Sequence, residues 1–251
     1  MEDKKRELRK DILEDTKELV SNLDVSPKIE GFNHYEKKIV ERVEQEIAQD
    51  PTYDPGKIHF EQMDTISAAI KYAKPYFFSP AVDFLVFASS KHYGGGIWNG
   101  AKAQEEDIFL CTDLFMLKDE VQEIYYPLKG ILSIDCHIVK DKNFEPLIRE
   151  IPARAFFAAA PNLNKKMNDP KLDVDFYSRM LCLTDATLDH SSETTLVIGA
   201  WGCGVFKNDP KEVAELFKNI MPLLLEDYKE VVVAIPDEKI LNIFKETLQY
   251  R

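Results

Sequence analysis

The chain has 251 residues, 45% of them hydrophobic, and a formal net charge of −12 at pH 7. This size and apolar content suit one well-cored domain with an extension, or at most two small domains. The negative charge argues against broad, sequence-independent nucleic-acid binding, and the four cysteines include no C-x-x-C pair that would indicate a zinc site or a disulfide framework.

The N-terminal sequence shows no pattern of export or membrane anchoring. Residues 1–20 are densely charged and lack the apolar core of a secretory signal. No apolar run of the sequence approaches the roughly 20 residues that span a bilayer. We therefore expect a soluble protein with reduced thiols that is not secreted and has no membrane partner. Its expected location is the cytoplasm, or the nucleus if the source is eukaryotic.

The first 75 residues are predicted to be mainly helical. Within residues 39–47 an apolar residue recurs every four positions, and one helical face upstream carries Leu8, Ile12 and Leu19. Two prolines and a glycine interrupt this pattern in residues 50–56. We expect residues 1–75 to form an N-terminal helical extension that packs on a core of residues 76–251, the two parts making one structural unit.

The remaining sequence alternates apolar runs with helical patterns. The runs that are predicted to be buried strands are 84–89, 130–139, 153–160, 195–200 and 231–235. Helices are predicted from about residue 101 to about residue 119, near 176–183, and from Asp209, where Pro210 and Glu212 follow as in a capping box. Apolar strands that alternate with helices indicate an α/β domain with a largely buried sheet.

Two of the predicted strands lead into glycine-rich segments. The first contains the triplet 94–96, and the second extends from 199 to 206. In open α/β sheets ligands bind beyond the carboxyl ends of the strands, and free N–H groups near a helix start can bind phosphate. The glycine spacing matches neither the dinucleotide fingerprint nor the P-loop. A tight turn in which Gly199, Gly202 and Gly204 only permit close packing is therefore an alternative explanation for the second segment.

Together with Gln104, Glu105 and Glu106, these segments resemble a known family. The chain is similar to the microbial type of poly(ADP-ribose) glycohydrolase, a branch of the macrodomain fold, whose signature is GGG, a spacer and QEE. Here GGG is followed by seven residues and then QEE at 104–106. GAWGCGVFKNDP at 199–210 resembles the family's second block, and FFAAAPNL at 156–163 is similar to a third. The resemblance implies a macrodomain-like three-layer α/β/α fold with a central mixed sheet.

The resemblance also implies a reaction, hydrolysis of the ribose–ribose O-glycosidic bond in poly(ADP-ribose) to release ADP-ribose. Many glycosidases place two carboxylates on opposite sides of the sugar, but adjacent side chains on a helix diverge by roughly 100°. We therefore predict a single general acid/base, Glu106, with Glu105 holding ribose hydroxyls. The residues expected to bind substrate are Ser89, Gly94, Gly95, Gly96, Gln104, Gly199, Gly202, Cys203, Gly204, Val205 and Phe206. No cofactor and no metal is expected, and the expected partner of a monomeric protein is ADP-ribose or its polymer on modified targets.

Two residues depart from the family pattern. Ser89 stands where an asparagine usually contacts a ribose hydroxyl, and Tyr93 stands where a proline usually precedes the glycines. A serine side chain is shorter, which gives weight to a second hypothesis, an ADP-ribose-binding macrodomain without catalytic activity. A third is hydrolysis of single ADP-ribose groups on protein or nucleic acid.

Other polar residues suggest alternatives of lower weight. The contiguous residues 189–191, Asp-His-Ser, have triad chemistry, but contiguous residues rarely meet triad geometry. Cys203 lies in a glycine loop near a helix start, where a thiolate would be favoured, although packing beside the diphosphate is the preferred interpretation. Trp98, Asn99 and His92 are candidates for the rim of a ligand site, whereas His137 and Trp201 are interpreted as core residues.

Overall fold

The computed structural model describes residues 2–49, 52–75, 80–164, 175–188 and 194–249. The α-helices are α1 (Glu2–Ser21), α2 (Lys37–Gln49), α3 (Thr65–Tyr72), α4 (Gln104–Cys111), α5 (Lys118–Tyr125), α6 (Phe176–Leu188), α7 (Pro210–Asp227) and α8 (Glu238–Gln249). The strands are β1 (Lys28–His34), β2 (Ile58–Glu61), β3 (Val82–Phe87), β4 (Gly130–Lys140), β5 (Pro146–Ala158), β6 (Thr195–Ile198) and β7 (Glu230–Ala234). No helix in the described part of the chain is both long enough and apolar enough to cross a membrane.

The seven strands form one mixed sheet in the order β1-β4-β5-β3-β6-β7-β2. Strands β5, β3, β6, β7 and β2 pair in parallel, whereas β4 pairs antiparallel with both β1 and β5. The parallel strands consequently end at the same edge of the sheet. The chain turns to opposite sides of the sheet after β3 and after β6, which lie next to each other, and ligands bind at such a switch point in open α/β folds.

Each face of the sheet is covered by a helical layer. Phe84 and Val86 of β3 contribute to the apolar cluster on one face, with buried residues of α1, α3, α4 and α5. Leu85 points to the other face and joins the cluster that contains residues of α2, α6, α7 and α8. This alternation follows from the period of two along a strand. The predicted three-layer α/β fold with a central mixed sheet is confirmed.

The N-terminal segment differs from its prediction. Residues 1–75 contain helices, but they also supply β1 and β2, the two edge strands of the sheet. β2 has only four residues, and β1 contains Gly31 at a register shift and has no fully buried residue. Edge strands with one solvated side need no long apolar run, so the segment could not be recognised by apolar content. The prediction of a mainly helical segment therefore missed these two strands, while the extension and its division after residue 75 stay a prediction.

The predicted helix from about 101 to about 119 is divided in the structure. Helix α4 ends at Cys111, a 3₁₀ turn occupies Leu114–Leu117, and α5 begins at Lys118. The break occurs because the intervening residues bond to β4: Thr112 forms a β-bridge with Ile138, and the Asp113 carboxylate accepts a hydrogen bond from the His137 N–H at 2.9 Å. Tertiary contacts override the local helical pattern at this point.

Candidate active site

A cavity of about 430 Å³ lies beyond the carboxyl ends of β3, β5 and β6. This volume lies within the range of small-molecule sites. Its walls come from the segment between β3 and α4 and from the residues that follow β5 and β6. The lining residues include Ser89, His92, Gly95, Gly96, Lys102, Glu105, Glu106, Asn162, Val205 and Phe206. The structure therefore places the two glutamates and part of both glycine-rich segments around one cavity.

Glu105 is held at both carboxylate oxygens by backbone donors. The Ser89 N–H donates to Oε2 at 2.8 Å, and the Gly94 N–H donates to Oε1 at 2.9 Å. The side chain is buried. Burial raises the pKa of Glu105 well above its ordinary value, and the neighbouring Glu106 charge adds to the rise, while the two N–H donors act in the opposite direction. A carboxyl group with a strongly perturbed pKa in a cavity is typical of a functional site.

Glu106 is held at one oxygen only. The Gly96 N–H donates to Oε1 at 2.8 Å. Oε2 is buried and has no hydrogen-bond partner among the described residues. Buried polar atoms usually have partners, and an exception calls for an explanation such as an absent ligand or water. Of the two neighbouring glutamates, Glu106 therefore has the carboxylate oxygen that is not used by the protein.

Gly95 is the residue of the triplet whose lack of a side chain bears most directly on the carboxylates. Its φ is +57°, in the left-handed region that favours glycine. A Cβ atom at this position would lie 2.5 Å from Oε1 of Glu106 and 3.0 Å from Oε2 of Glu105. The glycine therefore lets the backbone approach both glutamates at a distance that no other residue type permits.

Gln104 connects the start of α4 to the end of β3. Its Oε1 accepts a hydrogen bond from the Phe87 N–H at 2.9 Å, and its Nε2 donates to the Leu85 carbonyl at 2.7 Å and to the Thr65 hydroxyl at 3.1 Å. Both ends of the amide are thus engaged within the protein. The residue was predicted to bind substrate; in the structure it positions the helix that carries the glutamates.

The segment before the glycine triplet is shaped by Ser89. Its Oγ accepts hydrogen bonds from the N–H groups of Lys91 and His92, both at 3.2 Å. Its own N–H is the donor to Glu105, so this residue takes part in the site through its backbone. Tyr93, the second departure from the family pattern, is buried and its hydroxyl donates to the Leu114 carbonyl at 3.0 Å.

The segment 199–206 forms a loop on the other side of the site. The Asn208 Nδ2 donates to the carbonyls of Gly202 at 3.0 Å and of Pro161 at 2.8 Å, which fixes the loop against the residues after β5. Within the described ranges, the N–H groups of Gly204, Val205 and Phe206 have no acceptor. Consecutive free N–H groups can bind an anion. Phe206 lines both this cavity and an adjoining cavity of about 430 Å³ that extends towards Gly202 and Ile235.

The start of α7 is capped from within the protein. The Asp209 carboxylate accepts hydrogen bonds from the N–H groups of Lys211 and Glu212. The predicted cap is confirmed, but it occupies the donors that a phosphate would need at this helix end. Cys203 lies in the preceding loop, where burial raises the pKa of its thiol to about 12. The thiol form is therefore favoured, and the alternative of a reactive thiolate is not supported.

The remaining aromatic and histidine predictions have clear outcomes. Trp201 is buried and its Nε1 donates to the Ala158 carbonyl at 2.9 Å, as expected of a core residue. Trp98 lies outside the cavity wall, with the Lys118 ammonium 4.3 Å from its ring centroid, whereas Asn99 and His92 line the cavity. His137 is half-buried and bonded to Asp113, and the residues 189–191 lie outside the described residues.

Several lining residues were not predicted from the sequence, and they include Phe87, Lys102 and Asn162. Lys102 and Phe87 border the main cavity and two adjoining ones, so both lie where the three meet. Lys102 lies two residues before Gln104, and this closeness to the QEE motif was the available signal. Among the described residues, no group of three or more His, Cys, Asp or Glu side chains is arranged to hold a metal ion.

The comparisons with known proteins agree with this architecture. The model of the family described as microbial-type PARG, catalytic domain, matches residues 9–130. This match confirms the resemblance inferred from the first glycine block and the two glutamates, whereas the second block lies outside the matched residues. Among curated proteins, none matches the chain.

Solved structures show the same fold. The poly(ADP-ribose) glycohydrolase from Thermomonospora curvata is 20% identical with a TM-score of 0.66, and the alignment covers 96% of this chain and 99% of that chain. The same enzyme bound to the inhibitor ADP-HPD is 21% identical with a TM-score of 0.67, at the same coverage. The enzyme from Deinococcus radiodurans in complex with ADP-ribose is 24% identical with a TM-score of 0.66, covering 89% of this chain and 94% of that chain.

Proposed function

We propose, because residues 9–130 match the catalytic domain of the microbial-type PARG family, that this chain hydrolyses the ribose–ribose O-glycosidic bonds of poly(ADP-ribose) and releases ADP-ribose. Glu106 is the general acid/base of this reaction. The single observation that carries the assignment is the state of its carboxylate: Oε1 is fixed by the Gly96 N–H at 2.8 Å, and Oε2 is without a partner among the described residues. A fixed carboxyl group with one free oxygen suits proton transfer to a bound sugar.

The reaction needs one proton to be donated and one to be accepted. As the bond between the ribose C1 and the leaving oxygen breaks, Glu106 gives its proton to that oxygen and becomes a carboxylate. A water molecule then adds to C1 and transfers its proton to the Glu106 carboxylate, which restores the starting form. The separation needed for two carboxylates on opposite faces of a sugar is not available to the neighbouring Glu105.

The other site residues bind and orient the substrate. Glu105, fixed by two N–H donors, is placed to contact ribose hydroxyls beside the cleaved bond. The free N–H groups of Gly204, Val205 and Phe206 bind the diphosphate, and its negative charge stabilises the oxocarbenium-like centre that develops at C1. The backbone around Gly95 lies against the ribose, because no side chain separates it from the glutamates.

Several coarser properties accompany this proposal. The four cysteines are free, which fits a reducing compartment such as the cytoplasm. The net charge of −12 disfavours broad nucleic-acid binding. We assign the chain to the macrodomain type and to a monomeric state.

Two rival functions differ from this one, the first in having no reaction and the second in its substrate. A binding module without catalytic activity would use the same cavity, and Ser89, whose Oγ accepts two backbone N–H groups, is the residue that favours it. A hydrolase of single ADP-ribose groups would use the same acid/base on another leaving group. The unpartnered Glu106 oxygen favours either hydrolase over the binding module, and the substrate distinguishes the two hydrolases.

The test is incubation with labelled poly(ADP-ribose), with quantitation of the released ADP-ribose. We expect the unmodified chain to release ADP-ribose. We expect Glu106→Gln to lower the rate of release by about a hundredfold or more, the scale typical of a lost acid/base. Calorimetry should show that Glu106→Gln still binds ADP-ribose. Binding without release by the unmodified chain would establish the binding module, release only from singly modified targets would establish the third function, and an unaltered rate for Glu106→Gln would remove it from the mechanism.

A further inference from the structure

We propose that Arg9, on the N-terminal helix α1, is a positioning residue for the Glu106 carboxylate. It acts through the residues that connect the glycine triplet 94–96 to Gln104. The inference rests on the proposed function, since it concerns the same site. Arg9 does not line the cavity and lies more than eighty residues upstream of Glu106 in the sequence. It acts through the backbone and side chains that it contacts.

The guanidinium of Arg9 bridges two parts of the catalytic segment. Its Nε donates to the Ala101 carbonyl at 2.7 Å. Its Nη2 forms an ion pair with Oδ1 of Asp107 at 2.7 Å, although the two groups are not aligned as a hydrogen bond. Ala101 precedes the glutamates and Asp107 follows them directly. The side chain of Arg9 is nearly buried, with a relative exposure of 8% for the residue. One planar cation thus connects both ends of the turn that presents Glu105 and Glu106.

A short chain of contacts connects Ala101 to the acid/base. The Ala101 N–H donates to the Gly96 carbonyl at 3.1 Å, and a Cβ on Gly96 would lie only 2.7 Å from the Ala101 Cβ. The Gly96 N–H is in turn the donor to Oε1 of Glu106 at 2.8 Å. A shift of Ala101 away from Arg9 would therefore displace the one hydrogen bond that orients the Glu106 carboxylate.

The helix that carries Arg9 is seated closely on this segment. Gly100 has a φ of +69°, and a Cβ at this position would lie 2.1 Å from the Arg6 carbonyl oxygen. Farther along α1, the Thr16 hydroxyl lies 2.9 Å from the Leu110 carbonyl at the end of α4. Helix α1 thus contacts the segment before α4 and the last turn of α4, and Arg9 is the contact closest to the glutamates.

An arginine fits this position for two physical reasons. Its Nε can donate to a carbonyl while another nitrogen of the same rigid plane lies beside a carboxylate, an arrangement that a lysine ammonium on a flexible stem holds less well. Its charge also compensates Asp107, the third acidic residue in the first turn of α4. Both effects keep the acid/base in one geometry.

The test compares Arg9→Ala with Thr16→Val, a matched control on the same helix. Thr16→Val keeps the shape of the side chain, removes the α1–α4 hydrogen bond and leaves the Ala101 and Asp107 contacts in place. We expect both variants to lower Tm. Only Arg9→Ala should lower kcat on poly(ADP-ribose), by about a hundredfold, the scale of a small misplacement of a catalytic group. Its KM and its calorimetric Kd for ADP-ribose should stay within about threefold, because the diphosphate loop is untouched.

Arg9→Lys provides the conservative variant and the decisive one if Arg9→Ala fails to fold. It retains the charge but not the rigid plane, so we expect a kcat about tenfold below that of the unmodified chain, with Kd unchanged. A kcat within about threefold of the parent for Arg9→Ala, or for Arg9→Lys where it decides, would overturn the inference. So would an equal loss of kcat in Thr16→Val, since general docking of α1 would then explain the effect. Absence of polymer hydrolysis by the unmodified chain would instead contradict the proposed function, whatever Arg9 does.

Discussion

Glu105 and Glu106 show how two adjacent residues of the same type come to have different surroundings. Glu105 accepts a backbone N–H at each oxygen, whereas Glu106 accepts only one. The donors belong to residues 10 to 16 positions upstream, so the difference arises from the path of the loop and not from the helix that carries both side chains. A carboxyl group whose oxygens are both occupied is fixed as a binding group, and one with a free oxygen can exchange a proton with a ligand.

Gly95→Ala should disrupt the acid/base without removing any functional side chain. The new methyl group would lie 2.5 Å from Oε1 of Glu106, in a backbone conformation that disfavours side chains, so the carboxylate or the loop must move. We expect polymer hydrolysis to fall by about a hundredfold. Gly31→Ala is the control, because a Cβ there meets nothing within 4 Å and β1 is remote from the cavity. Equal activity of the two variants in the release assay would contradict the assigned geometry.

Lys102 should contribute charge to substrate binding. It is exposed, lines the main cavity and both adjoining cavities, and has no carboxylate partner in the described portion of the chain. Lys102→Gln should weaken ADP-ribose binding by about three- to tenfold, as for a partly exposed ion pair. The affinity of the unmodified chain should also fall more steeply with added salt than that of the variant.

The control for Lys102 is Lys229→Gln, which removes an exposed charge beside the amino-terminal end of β7. Calorimetry at low and high salt measures both effects, and adenosine serves as a ligand without phosphate. Identical salt dependence in the parent and in Lys102→Gln would show that this lysine does not face the diphosphate. If Lys102→Gln binds adenosine more weakly than the unmodified chain does, the effect of this lysine does not depend on a phosphate, and the assignment to the diphosphate is wrong.

At the scale of elements, the buried strands could be predicted and the edge strands could not. β3, β4, β6 and β7 carry apolar runs because both faces of the sheet are covered by helices. β1 and β2 lie at the edges, and their sequences KIEGFNH and IHFE have no such run. The first seven residues of β5 extend beyond the predicted run, and they include the fully exposed Ile148.

Site positions that depend on the glycine and QEE motifs were predicted from the sequence, whereas those that depend on packing were not. The cavity does bring together Ser89, Gly95, Glu105, Glu106 and Phe206. Gln104 contacts the end of β3, and Arg9 contacts the Ala101 carbonyl. Both contacts join segments that are far apart in the chain. No local pattern encodes which backbone carbonyl such a side chain will reach.

The ion pair between β4 and the α4–α5 connection should make stability depend on pH. The hydrogen bond from His137 Nδ1 to Asp113 Oδ2, at 2.8 Å, raises the pKa of His137 above its ordinary 6.5. A raised histidine pKa contributes stability that is fully present below pH 6.5 and is lost as the pH rises through the folded-state pKa. His137→Gln should therefore cost more free energy of unfolding at about pH 5.5 than at about pH 9. Urea titrations at both pH values measure the loss of free energy of unfolding, and His34→Gln, at an exposed position, is the control. A loss in His137→Gln that does not depend on pH would refute the assignment.

At the scale of the whole molecule, the N-terminal residues supply both edge strands of the sheet and contact the segment that carries the glutamates. β1 and β2 form the two edges of the sheet, and α1 contacts the segment that carries the glutamates. Strands β2 and β7 pair over four residues, so one side of the sheet is completed by a segment that precedes all the motif residues. The residues before the first glycine block are therefore a structural part of the same sheet as the proposed site.

The centre of the sheet contains a carboxyl group that should also govern the pH dependence of stability. Asp83 of β3 is fully buried, and its Oδ2 accepts a hydrogen bond from the Tyr228 hydroxyl at 2.8 Å. The nearest cation, Arg154, is paired with Asp135 through an Nε–Oδ1 distance of 2.6 Å. Burial raises the pKa of Asp83 from 3.8 to about 7, and the tyrosine hydrogen bond only partly opposes this rise.

A carboxyl group whose pKa is higher in the folded state binds its proton more tightly there than in the unfolded state. The free energy of unfolding therefore falls as the pH rises from about 4 to about 7, and it is level above that. Asp83→Asn keeps an acceptor for Tyr228 and removes the charge. Its stability should equal that of the parent near pH 4 and exceed it at about pH 8, by a difference on the order of 4 kcal/mol at most, since each pH unit between the two pKa values is worth about 1.4 kcal/mol. Thermal unfolding across this range measures the difference, with Asp11→Asn on the exposed face of α1 as the control for loss of one negative charge. Parallel curves for Asp83→Asn and the parent would show that Asp83 is ionised in the folded protein over the whole range, and that the sheet tolerates its charge without cost.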